Sequence, residues 1–259
     1  MTDARPRGTP GGSPALLAAA LAVFVLVTAD VLAGGPLSRL DREASQWARS
    51  TGLPGHGWRR PWQRELDQAV NFGDRQVAGL IVVVVLGWIC WRGRTLLPLV
   101  RLAGLCGVTA AVVSALKVGT ARAAPVGVQV DHPFRSYPSG HTVTAVVLWG
   151  LLAAVVAEHP RRGVSREAAQ VLSWLAPLLT VTGMMLRDYH WLSDLLGGAM
   201  LGVALVQAER LALRHWRRAR ASAGPAGMRA PPAAAGDPGT GAARIAAAGA
   251  GRRGRPRPG

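Results

Sequence analysis

The sequence predicts an all-α fold, a membrane bundle of about six spanning helices, and three observations lead there. Of its 259 residues, 49% are hydrophobic and the mean hydropathy is positive at +0.21. The apolar residues are gathered into runs near Pro14 to Leu32, Val77 to Trp91, Leu96 to Leu116, Thr142 to Ala157, Val171 to Leu186 and Trp191 to Val206. Backbone groups in lipid have no water to bond to, so such runs satisfy their peptides as helices. One polytopic domain over residues 14–208 is expected, and a soluble globular domain is not.

Residues 1–13, with Arg5 and Arg7, read as a cytoplasmic segment ahead of the first span. A cleaved signal ending near Ala33 is the alternative, and it lacks a clean small-residue cleavage pattern. Between Pro36 and Gln76, Leu37, Leu40, Ala44 and Trp47 recur at helical spacing. That pattern fits a short helix on the outer leaflet or an ordinary packed loop helix, and the sequence leaves both open. Several runs fall short of the ~20 residues a span needs. Their ends therefore recruit interfacial tryptophans, namely Trp88, Trp91, Trp174 and Trp191. Cys90 and Cys106 lie within apolar runs, which reads as two buried thiols with no disulfide framework.

Charge sets the expected orientation. The short loops carry Arg92, Arg94 and Arg101, then Arg161, Arg162 and Arg166, and the last run is followed by Arg210, Arg214, Arg217, Arg218 and Arg220. By the positive-inside rule these are cytoplasmic, so the chain is a multi-pass plasma-membrane protein with both termini inside. The loop from Pro36 to Gln76 has seven arginines against five acids and points less clearly. Residues 209–259 read as a basic, disordered cytoplasmic tail, being chiefly Ala, Gly, Pro and Arg beyond about residue 221. Eleven arginines and one aspartate from Arg210 onward supply most of the net charge of +16. Without aromatic interleaving or a recognition motif, that charge points to an anionic inner leaflet and not to nucleic acid.

Two segments at the external edges of apolar runs carry chemistry: Tyr137-Pro138-Ser139-Gly140-His141 and His190-Trp191-Leu192-Ser193-Asp194. Ionisable groups at a membrane boundary are costly unless used. His190 and Asp194 share a helix face, so the carboxylate can fix one ring nitrogen and leave the other as a nucleophile. His141 suits a general acid. Ser139 and the Gly140 N–H would offer donors to an anion at a helix start. Lys117, the only lysine among 30 lysines and arginines, closes an apolar run as a compact point charge. Its other reading is a cation snorkelling to the interface.

In that order, Lys117, Pro138-Ser139-Gly140-His141, His190 and Asp194 resemble the type 2 phosphatidic acid phosphatase (PAP2) family over roughly residues 70–208. These are membrane lipid phosphate phosphatases related to vanadium haloperoxidases. The family pattern is lysine, six residues, arginine-proline; proline-serine-glycine-histidine; then serine-arginine, five residues, histidine, three residues, aspartate. Here Ala124 stands at the first motif arginine, and Gly183-Met184 stand at serine-arginine. The resemblance implies that His190 attacks phosphorus and forms a phosphohistidine, His141 protonates the leaving group, and Asp194 orients His190. Lys117, Ser139 and Gly140 would hold the phosphate. The implied substrate is a lipid phosphate or lipid pyrophosphate at the external face, with membrane lipids as partners and no metal or other cofactor.

Arg122 and Arg187 are the expected substitutes for the missing arginines, with Arg135 also available. Arg187 is three residues from Met184 and Arg122 two from Ala124. Two other readings stay open. One is a catalytically silent relative that binds lipid phosphate or a membrane partner. The other is a metal-dependent hydrolase using His141, His190 and Asp194.

Overall fold

The computed structural model describes residues 12–54, 61–125, 135–159 and 163–222, and the described secondary structure is entirely helical. The N-terminal residues 1–11 and the expected disordered tail beyond residue 222 lie outside the described residues. Two units are distinguished, Met1–Arg218 and Ala219–Gly259. The helical bundle makes up the first, and its last helix runs on to Ser222.

Each apolar run becomes a helix with a recognisable start. α1 (Pro14–Ala33) opens with proline at its first turn and Ser13 accepting from the Leu16 N–H, and ends at Gly34 with φ +62°. α2 (Leu37–Ser50) and α3 (Pro61–Asn71) occupy the loop between spans. α4 (Val77–Gly93), α5 (Leu97–Thr120) and α6 (Gly140–Glu158) follow. α7 (Arg166–Leu186) begins a turn before its apolar run because Ser165 caps the Ala168 N–H. α8 (Leu192–Ser222) continues past residue 208, so the domain boundary expected there falls inside a helix. Its later turns are rich in Ala, Leu and Arg, good helix formers that carry it on without an apolar core.

Among the described residues, α1, α5, α6, α7 and α8 are long and apolar enough to span a membrane, while α4 is a shorter apolar helix of 17 residues. The spans are packed unequally. Along its apolar window α6 is 61% buried and α1 only 11%. α6 is the central post, in contact with α4, α5 and α7. α8 packs against it closely enough that a Cβ at Gly202 would stand 2.7 Å from Val146. The outer helices turn Leu26, Leu80, Val84, Val108, Trp174 and Leu178 outward, as expected where lipid is the solvent.

The loop helices sit at the end of the bundle where α1, α5 and α7 finish and α4, α6 and α8 begin. The apolar stripe of α2 is not its most buried face: Leu40 and Trp47 are exposed and Leu37 and Ala44 half-buried, while Asp41, Ser45 and Ala48 are buried. α3 lies on α7 at Gly183, where a Cβ would stand 2.9 Å from the Leu66 carbonyl oxygen. Cys90 is buried as expected, but Cys106 is exposed, because its face of α5 opens onto a cavity.

Candidate active site

The loop from Ser136 to Ser139 closes on the first turn of α8. Ser139 donates its backbone N–H to the Asp194 carbonyl at 3.1 Å, and its side chain caps α6 at Thr142. The following Gly140 and His141 thereby start α6 beside the start of α8, where His190 and Asp194 lie. Tyr137 is fully buried, its hydroxyl 2.7 Å from Thr28 Oγ1 on α1.

Asp194 is wholly buried and fully engaged. It accepts from the backbone N–H of Trp191 at 3.2 Å, from Ser136 Oγ, and from Arg122 Nη1, and its Oδ2 lies 3.3 Å from His190 Nδ1. Ser136 Oγ also contacts His190 Nδ1 at 3.2 Å. One ring nitrogen of His190 is thus fixed by the carboxylate and the hydroxyl. Nε2 has no protein partner among the described residues.

A cavity of about 920 Å³ opens in front of this histidine. Its polar end is lined by Lys117, Arg135, Gly140, His141 and His190, together with Asp74 and Arg75 from the α3–α4 turn. The Lys117 side chain lies over Gly140, where a Cβ would be 4.0 Å from its Cε, and Nζ donates to the Arg135 carbonyl oxygen at 2.6 Å. From there the cavity runs between α4, α5 and α6 past Val83, Val113 and Val147 to Leu102. Lys117 to Leu102 is about 22 Å of helix at 1.5 Å per residue.

The remaining candidates are placed elsewhere. Ser139 is fully buried, its hydroxyl turned to Thr142 as a helix cap and not to the cavity. Arg122 and Arg187 do not line the cavity. Arg122 spans two carboxylates, Asp194 and Asp41, the latter through Nη2 at 2.6 Å. Asp41 also accepts from the Ser193 backbone N–H at 2.8 Å and from Ser193 Oγ at 2.6 Å. Arg187 is directed to Asp67 on α3, with Nε to Oδ1 at 2.9 Å, and to the Tyr189 hydroxyl at 3.0 Å. At the motif positions themselves, Ala124 lines the cavity, whereas Met184 is buried in an apolar cluster with Val70 and Leu195. Among the described residues no group of three His, Cys, Asp or Glu is arranged to hold a metal ion, since Asp194 is turned to Arg122 and His190.

Sequence reading passed over Asp41, Ser136, Asp74 and Arg75. Ser136 could have been found, since it stands three residues before the motif serine. The other three act across elements, and no spacing rule reports them.

The fold and the sequence both have known counterparts. The chain is similar to the crystal structure of a transmembrane PAP2-type phosphatidylglycerolphosphate phosphatase from Bacillus subtilis, at a TM-score of 0.64 and 18% identity over 77% of this chain and 96% of that one. No curated protein matches it. The family model of the PAP2 superfamily matches residues 98–218, from the first turn of α5 to the charged part of α8. Lys117, His141, His190 and Asp194 all lie inside that stretch, at one end of the bundle.

Proposed function

We propose that this chain is an integral membrane phosphatase that removes phosphate from a lipid phosphate or lipid pyrophosphate at the external face. The observation that carries the reading is the continuous cavity that joins His190, His141 and Lys117 to an apolar channel between α4, α5 and α6. A phosphate headgroup fits the first part and an acyl or prenyl chain the second.

His190 Nε2 attacks phosphorus while the bond from phosphorus to the ester or bridging oxygen breaks, giving a phosphohistidine. His141 gives its proton to the departing oxygen. Water then attacks the phosphohistidine, His141 takes a proton from it, the phosphorus–nitrogen bond breaks, and inorganic phosphate leaves. Asp194 holds His190 in the reactive tautomer and stabilises its cationic form. Charge on the equatorial oxygens is met by Lys117, the Gly140 N–H at the start of α6 and the Arg135 guanidinium. Arg122 acts behind the site, holding Asp194.

The test is phosphate release by the purified chain from phosphatidate, phosphatidylglycerol phosphate, a polyprenyl pyrophosphate and a soluble phosphate ester. Release from the lipids is expected, with His190→Ala lowering it at least a thousandfold and His141→Ala slowing poor leaving groups most. Undiminished release by His190→Ala would refute the nucleophile. A second reading, a silent relative that binds lipid phosphate, is motivated by Ala124 and the buried Met184. A wild-type chain that binds lipid phosphate and releases none would establish it.

A further inference from the structure

Gly73, Asp74 and Arg75 form the turn between α3 and α4, outside the 98–218 stretch matched by the family. This turn is fitted onto the start of α6. A Cβ at Gly73 would stand 2.5 Å from both the His141 carbonyl oxygen and Thr180 Cγ2, so no side chain can be accommodated there. On one side Trp149 Nε1 donates to the Phe72 carbonyl at 2.9 Å. On the other, Asp74 Oδ1 accepts from the backbone N–H groups of Gln76 and Val77 at 2.7 and 3.0 Å, capping α4. The second oxygen of Asp74 lies 3.8 Å from His141 Nε2.

Between these anchors Arg75 is delivered to the wall of the cavity that holds Lys117, Arg135, His141 and His190. Its state differs from that of the two arginines nearest the vacated motif positions. Arg122 is closed on Asp41 and Asp194, and Arg187 on Asp67. Among the described residues Arg75 and Arg135 are in no ion pair. An unpaired guanidinium on the wall of a cavity that also holds a helix N-terminus and a lysine is suited to a tetrahedral oxyanion, which it can grip through two parallel N–H donors.

We propose that Arg75 is a phosphate-binding residue, supplying from outside the family motifs a guanidinium that Ala124 and Met184 do not. The inference rests on the phosphatase reading for its substrate, yet anion binding tests it without turnover. The full chain, purified in detergent, is titrated with inorganic phosphate and with orthovanadate. Wild type binds both. Arg75→Ala binds at least tenfold more weakly and Arg75→Lys about threefold more weakly, with melting temperatures unchanged because the side chain is exposed. Adding Ala124→Arg to Arg75→Ala recovers most of the lost affinity, since both positions line one cavity. Arg92→Ala, at the far end of α4, has no effect.

Wild-type affinity in both Arg75 variants would overturn the proposal, as would failure of the wild type to bind either anion. Anion binding that depends on Arg75 in a chain that releases no phosphate upholds the proposal and removes the phosphatase reading instead.

Discussion

Arg122 shows how far a residue's neighbours in sequence can mislead. Two positions from the missing motif arginine, it reads as a phosphate ligand, but the side chain is 17% exposed and closed on two carboxylates that are 3% and 0% exposed. Asp41, one of them, lies 81 residues away, so no local pattern could reveal it. The partnership between His190 and Asp194 was legible from a spacing of four, although not as one helix face: His190 precedes α8, and Asp194 reaches back from the first turn to its ring and to the Trp191 N–H. Removing Arg122 takes the guanidinium from two buried carboxylates and leaves them only their hydrogen bonds and His190, an effect on the order of 3–5 kcal/mol. Arg122→Ala is therefore expected to melt far below wild type. Adding Asp41→Asn should return part of that loss, because it removes one orphaned charge, and a thermal double-mutant cycle in detergent measures the coupling. Were Arg122 a phosphate ligand, the single variant would keep its melting temperature and lose only affinity for vanadate.

At the scale of elements, the apolar runs located α1 and α4 to α8 because length and hydrophobicity decide a span in lipid. They could not show how the loop helices α2 and α3 fold back. The apolar stripe of α2 left open whether it packs or faces lipid, and the structure turns Leu40 and Trp47 outward and seats Asp41, Ser45 and Ala48. Near lipid, a polar or small stripe can be the inner face when it has partners such as Arg122 and Ser193. α3 accounts for the residue types at 183 and 184, where the resemblance leads one to expect serine-arginine. Gly183 admits the α3 backbone, and Met184 fills an apolar pocket with Val70 and Leu195. An arginine at 184 would place a guanidinium in the apolar cluster of Val70 and Leu195. Met184→Arg is accordingly expected to lose several kcal/mol of stability and to gain no activity. Ala124→Arg, on the cavity wall, should fold normally and raise kcat/KM at least threefold. A thermal melt and a phosphate-release assay on the two variants decide this, and a stable, more active Met184→Arg would show that α3 yields.

For the whole molecule, polar groups are sorted to two ends of one bundle. The mouth of the cavity, with Lys117, His141 and His190, marks one end. At the other, the start of α5 is tied to the end of α6 and the middle of α8 through Arg101, which is buried and paired with Glu209 at 2.6 Å and Glu158 at 3.1 Å. Glu158 is paired in turn with Arg217. Arg101→Ala should lower the melting temperature while leaving kcat/KM of the folded fraction unchanged, because the network is remote from His190. The start of α1 joins the same end, since Ser13 donates its backbone N–H to Gln207 and Arg214 donates to the Gly12 carbonyl. The beginning of α1 and the charged stretch of α8 therefore share one side of the membrane, and the cavity opens toward the other. Which side is cytoplasmic is then a single binary question, and charge bears on it. Arg92, Arg94 and Arg166 stand in or beside short connections at the end opposite the cavity mouth, and Arg210, Arg214 and Arg217 lie in the later turns of α8. At the cavity end, Arg49, Arg122 and Arg187 are set against Asp188, Asp41, Asp194 and Asp67. The positive-inside rule weights short-loop arginines most, and it is on this ground that we propose an outward-facing cavity. A reporter fused after Arg220 should read as cytoplasmic. In a chain carrying Cys106→Ala, Arg135→Cys should react with an impermeant thiol reagent in intact cells. Reaction only after the membrane is broken would invert the molecule, and the lipid phosphate it meets would then be that of the inner leaflet.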